Sequence, residues 1–247
     1  MLDSIKQKLE QINLIEVTKY KKAGVLILLL NDIDIRAGNL DLAIERFDAY
    51  VIGRPNNGYL LKELGDLYRR DEQYAKARDS YLRAIATGFD SANLYRNLAI
   101  SHERLNEDEQ AERYFEGALA RDPDDPFTLN YLGYWWAESG RHLTQAIELI
   151  EQAVRLRPDS GFFVDSLGWV HYQLGNYQLA VEFLEKATML EPEDAVIIAH
   201  LGDAYWQTKR YSEAQYKWRY AAQITKDSEL QADLENKLTS EFPMIGQ

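Results

Sequence analysis

The chain of 247 residues contains no cysteine. Disulfide frameworks, zinc–thiolate sites and thiol nucleophiles are thereby excluded, and the redox compartment leaves no mark on the sequence. Long apolar runs are missing too. The longest, "GVLILLL" at 24–30, falls far short of the roughly 20 residues that span a bilayer, and it lies behind a charged segment. No signal peptide and no direct membrane insertion are read. This predicts a cytoplasmic protein on the sequence given, or a periplasmic or envelope-associated one if an upstream export signal has been removed. Positive charge is in deficit: 28 Lys and Arg stand against 40 Asp and Glu, for a net charge of −12. Such a surface repels a phosphate backbone unless a basic stripe gathers on one face, so nucleic acid is not expected as a partner.

Catalytic signatures are equally scarce. No two of the four histidines, His102, His142, His171 and His200, stand three or four apart, which removes a helical metal pair. There is no Gly-x-Ser-x-Gly elbow, no Gly-x-Gly-x-x-Gly turn and no phosphate-cradling loop. The acidic clusters "NEDEQAE" (106–112) and "DPDD" (122–125) lack the ligand spacing of a calcium loop. They read as turns and helix starts, where carboxylates suit the positive helix end. No catalytic residue, metal or cofactor is assigned, and the protein is expected to be no enzyme.

What is present is abundant apolar material, 46% hydrophobic and 12% aromatic, and it is periodic. A Leu-Gly pair recurs at Leu64-Gly65, Leu132-Gly133, Leu167-Gly168 and Leu201-Gly202, with Leu98-Ala99 as a variant. Twelve or thirteen residues on stand Ala77, Ala111, Ala146, Ala180 and Ala214, and seven further Ala84, Ala118, Ala153, Ala187 and Ala221. Pro123, Pro158 and Pro192 close three units, while an earlier unit keeps only Ala43, Phe47 and Pro55. Small residues let two helices approach closely, bulky ones fill the remaining space, and proline stops the second helix.

This pattern resembles the tetratricopeptide repeat over residues 24 to 228, in the style of bacterial multi-repeat proteins. The resemblance implies an all-α, right-handed superhelical solenoid of six helix-turn-helix repeats, at 24–57, 58–91, 92–125, 126–160, 161–194 and 195–228. The fourth carries one extra residue in its turn, "GRHLTQA", and the second has Phe89 in place of proline. Leu2, Ile5, Leu9 and Ile12 fall at helical spacing and predict a capping helix within 1–23. Ser228 is expected to cap a C-terminal helix carrying Leu230, Leu234 and Leu238, within a cap and tail at 229–247. Solenoids need such covers over their end repeats.

In the family, the first helix of each repeat lines a concave groove that takes extended peptides. The matching positions in the second and third repeats include Lys62, Glu63, Asp66, Arg69, Arg70, Arg96, Asn97, Glu103 and Arg104, five bases against three acids. In the fourth to sixth they include Phe127, Asn130, Tyr131, Tyr134, Glu138, Phe162, Asp165, Trp169, Tyr172, His200, Asp203 and Trp206: seven rings with no Lys or Arg. In "NYLGYWWAESG" (130–140), Leu132, Gly133 and Trp136 are assigned to packing, Tyr131 and Tyr134 to the groove, and Trp135 to a wedge against a neighbouring helix. His102 and His171 are read as packing residues.

A family variant grips the C-terminal carboxylate of chaperone tails with a Lys/Asn/Asn/Lys/Arg set. Lys62 and Asn97 fit it, but Asp66, Phe127 and Tyr131 do not, so that ligand is not expected. The resulting expectation is a protein-protein interaction scaffold that binds an extended or helical segment of a partner protein. A self-associating structural module, or the repeat portion of a larger protein or enzyme, is the alternative. Val25, Leu28 and Leu29 of the first repeat occupy groove positions that the N-terminal helix is expected to fold over; a homodimer contact there is the alternative.

Overall fold

A computed structural model describes residues 23–239, with side chains from Ile27 onward. The helix expected within 1–23, the side chain of Val25 and the tail beyond 239 lie outside the described residues. Among the described residues there are thirteen α-helices and no strand. Twelve form six hairpins: α1 (Ala23–Arg36) with α2 (Leu40–Ile52), α3 (Gly58–Arg70) with α4 (Tyr74–Ala86), α5 (Ala92–Arg104) with α6 (Asp108–Arg121), α7 (Pro126–Glu138) with α8 (Leu143–Leu156), α9 (Gly161–Gln173) with α10 (Tyr177–Leu190), and α11 (Ala195–Gln207) with α12 (Tyr211–Ile224). Helix α13 (Ser228–Thr239) follows. The chain divides into two compact units, one up to Asp122 and one from Pro123.

Each hairpin turn contains a residue with left-handed backbone: Gly38, Glu72, Asn106, Gly140, Gly175 and Lys209. The turn is closed by amide hydrogen bonds such as Gln73 to the Tyr68 carbonyl (2.9 Å) and Arg210 to the Tyr205 carbonyl (2.9 Å), which satisfy the last carbonyls of the first helix. The extra residue of the fourth hairpin is accommodated by a second left-handed residue, His142. Four of the first helices start on side-chain caps: Asn57, Ser91, Asp125 and Asp194 accept from backbone amides two or three residues on.

Within each hairpin the two helices meet at the recurrent glycine. A Cβ on Gly65, Gly133, Gly168 or Gly202 would stand 2.5–2.7 Å from Tyr81, Ile150, Leu184 or Trp218 respectively, closer than any side chain tolerates. All ten recurrent alanines of the second helices are fully buried. Phe89, in the place of a proline, packs over the bare Cα of Gly58 and against the core of the first unit.

The first hairpin departs from this scheme. Asn31 stands where the others carry glycine or alanine, and it is only 3% exposed. Nearby Asp34 is buried against Arg46, 2.5 Å away. At the other end, α13 packs on α12 with Leu234 fully buried and Leu230 and Leu238 partly so. Its cap is Asp227 and not Ser228: the Asp227 carboxylate accepts from the amides of Glu229 (2.8 Å) and Leu230 (3.2 Å), because Ser228 itself is already helical.

Candidate functional site

In the first unit, α1, α3 and α5 border a cavity of about 450 Å³ that brings together Lys62, Asp66, Arg69, Arg70, Arg96 and Asn97 with Asn31 and Tyr59. Asp66 is its organising centre. Its carboxylate accepts from the Tyr81 hydroxyl (2.7 Å) and from the Asn97 amide (2.8 Å), and pairs with Lys62 (2.6 Å). Burial works against the charge of Lys62, yet Asp66 and Glu63 hold its pKa above the ordinary lysine value. The Asp66 carboxylate is thus already paired within the protein, and Asn97, expected to face a ligand, is buried in this network. Arg104 does not border the cavity; it lies 3.3 Å from Glu103.

The second unit presents α7, α9 and α11, which carry a chain of links from each hairpin to the next. The Trp169 indole donates to Glu138, and His200 pairs with Asp165 at 2.9 Å. Trp169 lies stacked between Tyr172 (4.7 Å) and His200 (4.0 Å). Burial opposes protonation of His200, but the Asp165 carboxylate, helped by Asp203 and Glu138, raises its pKa above the usual imidazole value. Tyr134 is half-buried against the core, and burial with the nearby Glu138 pushes its hydroxyl pKa up. Asn130 is half-buried and its Oδ1 has no hydrogen-bond partner.

Beyond these links, Tyr172, Asp203, Trp206, Gln207, Trp218 and Lys237 line a cavity of about 260 Å³. Of the seven rings expected on the inner face, Tyr131, Tyr134, Trp169, Tyr172 and Trp206 are half-buried, while Phe127 and Phe162 are 52% and 54% exposed. The expectation that no Lys or Arg accompanies the rings is corrected by α13, whose Lys237 reaches Asp203 at 2.9 Å. Trp135 is half-buried and carries the Arg141 guanidinium over its face at 4.5 Å. Trp136 packs into the core as expected, as do His102, stacked on Tyr114, and His171, stacked on Phe183.

Residue-by-residue reading missed three features. The inner residues pair with one another from hairpin to hairpin, at separations of 31 to 35 residues, which only the repeat register combined with donor and acceptor chemistry would reveal. Asn31 has neither side-chain atom hydrogen-bonded although it borders the larger cavity. Its signal was present, as an asparagine in the slot of the repeat glycine. Lys237 lies in a segment read only as a cover. Among the described residues no cluster of three His, Asp or Glu has metal-binding geometry, and no helix is long and apolar enough to cross a membrane.

Family models described as tetratricopeptide repeat match residues 32–93, 62–126, 96–161 and 171–215. A curated relative, the TPR repeat-containing protein PA4667 of Pseudomonas aeruginosa, is 29% identical over 147 residues, 58% of this chain but only 25% of that protein. The chain therefore spans a quarter of that relative's length. Among solved structures, the APC/C hetero-tetramer Cut9-Hcn1 superposes with a TM-score of 0.77 at 19% identity, covering 97% of this chain and 48% of that one. A tetratricopeptide repeat protein from Parabacteroides merdae superposes with a TM-score of 0.70 at 18% identity, covering 86% and 84%. With hairpin register, buried alanines and family models in agreement, the chain belongs to the tetratricopeptide repeat family and has its all-α helical-repeat solenoid fold, a fold that serves generally as a protein-protein interaction scaffold.

Proposed function

We propose that this chain carries out no reaction of its own and docks a segment of a partner protein on the inner faces of its first helices. In the first unit an acidic stretch of the partner meets Arg69, Arg70 and Arg96 around the 450 Å³ cavity. In the second unit an apolar stretch covers Phe127 and Phe162. The observation that carries this reading is the exposure of these two rings at the same register position of α7 and α9, with Val196 at that position of α11 also 48% exposed. Large rings kept half in water cost free energy, and repeated at one register they match the anchor chemistry of binding surfaces.

The test is affinity capture from native lysate followed by cross-linking mass spectrometry, comparing the natural chain with a Phe127→Ser, Phe162→Ser double variant. The reading requires the double variant to lose a specific cross-linked partner while its helicity and melting temperature stay unchanged. Equal capture by both proteins would refute it.

A further inference from the structure

The smaller cavity of the second unit has a composition of its own. Three rings, Tyr172, Trp206 and Trp218, and one carboxylate, Asp203, converge on it. Trp218 donates its indole N–H to Asp203 at 2.9 Å, which fixes the carboxylate within the aromatic wall. Asp203 is mostly buried, its side chain 12% exposed. A desolvated carboxylate framed by ring faces is the arrangement that favours a cation: the rings contribute quadrupole attraction and the carboxylate a charge-assisted hydrogen bond.

The molecule already places one cation there. Lys237 sends its ammonium from α13 to both Asp203 oxygens, at 2.9 and 3.0 Å, and stands 5.8 Å from the centre of the Trp218 ring. The cavity remains open beside it, so the site holds more space than this ammonium uses. Burial raises the Asp203 pKa, and the Lys237 ammonium and the Trp218 indole work against that rise. Lys237 is also the kind of occupant that can leave. It lies in the last turn of α13, beyond the buried anchor Leu234, where helices open at least cost. It has a second carboxylate, the exposed Asp233, at 2.9 Å on its own helix, which keeps its charge paired after departure. The surroundings favour positive charge as well: from Pro123 onward 10 Lys and Arg face 19 Asp and Glu, against 18 and 21 before it.

We propose that this cavity is the seat for a lysine or arginine side chain of a partner protein, and that Lys237 partly fills it in the free chain as a stand-in that the partner displaces. As a partner site, it builds on the docking reading above and adds to it: the apolar stretch that covers Phe127 and Phe162 also carries a basic residue.

The site can be tested without the partner. Lys237→Ala and the polar but uncharged Lys237→Gln remove the ammonium from the seat, and the indole N–H resonances of Trp218 and Trp206 report on it. Titration with butylammonium or butylguanidinium should shift both resonances saturably in either variant, with an apparent Kd about tenfold lower than in the natural chain. Butanol should not produce the shift, and adding Asp203→Asn should abolish it. An amidated peptide of leucines around one arginine should bind Lys237→Gln about tenfold more tightly than the natural chain, and its citrulline counterpart should not. Absence of a saturable shift in both Lys237 variants, or the same affinity with and without Lys237, overturns the proposal. Failure of the docking reading has a different signature: the alkyl cations still bind, but Phe127→Ser, Phe162→Ser captures partners as the natural chain does.

Discussion

The two units use one register position in opposite ways. Asp66 of α3 and Asp203 of α11 occupy corresponding places in their repeats, and each accepts from an aromatic side chain of the paired helix, Tyr81 or Trp218. Asp66 is then closed off by Asn97 from the next first helix and by Lys62 from its own, and arginines ring the cavity beyond it. Among the described residues the ion pair of Asp203 is with Lys237 of α13, and the cavity beside it is walled by aromatic rings. A repeat scaffold can thus keep a structural aspartate constant and change the chemistry of its inner face through what the following helix supplies.

The largest effects should come from the shared aromatic partners. Tyr81→Ala and Trp218→Ala each remove a buried ring packed on a repeat glycine, and should cost about 3–5 kcal/mol in denaturant melts. A loss below about 1 kcal/mol in either would break the correspondence between the units. Next, Trp169→Ala should cost roughly 2–3 kcal/mol, because the half-buried ring is stacked between Tyr172 and His200 and bonded to Glu138. The repeat register alone places Trp169 at a groove position; an unchanged melting temperature would favour a ligand-facing ring over the packed one.

A finer contrast separates the two aspartates. Tyr81→Phe leaves Asp66 with Asn97 and Lys62 and should cost about 1 kcal/mol, whereas Trp218→Phe leaves Asp203 with Lys237 and should cost about 2. Equal costs would show that the following helix does not set the difference.

His200 supplies a pH test confined to the second unit. Its folded pKa is raised, with Asp165 offsetting the burial that opposes its charge. Its stabilising contribution is therefore complete below the unfolded value of about 6.5 and fades as pH rises through the higher folded value. The melting-temperature gap between the natural chain and His200→Asn should be widest near about pH 6 and shrink toward about pH 9. A gap that widens with pH would contradict the pairing. The smallest effect on stability belongs to Phe127→Ser with Phe162→Ser, within about 0.5 kcal/mol, since these rings are more than half exposed.

Much of the fold was legible because its determinants are local and recur. Glycine, alanine and proline report close approach and helix ends at fixed intervals, and in the structure those glycines and alanines stand at the helix contacts. The inner faces were legible only as positions. Asn97 and Asp165 fall in ligand-facing register, yet hydrogen bonds to Asp66 and His200 draw them into the protein. Such pairing depends on side-chain geometry across two helices, which a linear pattern does not carry. Ser228 was misread as a cap for a similar reason, since two oxygens one residue apart compete for the same amides and Asp227 has the geometry to win them.

The competing surface for any partner is the set of second helices, where Ile52, Met189 and Tyr216 are the most exposed large apolar residues. Covalent carbene footprinting of the captured complex against the free chain distinguishes the two faces directly. Docking on the inner faces requires protection at Phe127 and Phe162, with labelling at Met189 and Tyr216 unchanged. Protection confined to Met189 and Tyr216, with Phe127 and Phe162 labelled as in the free chain, would contradict it.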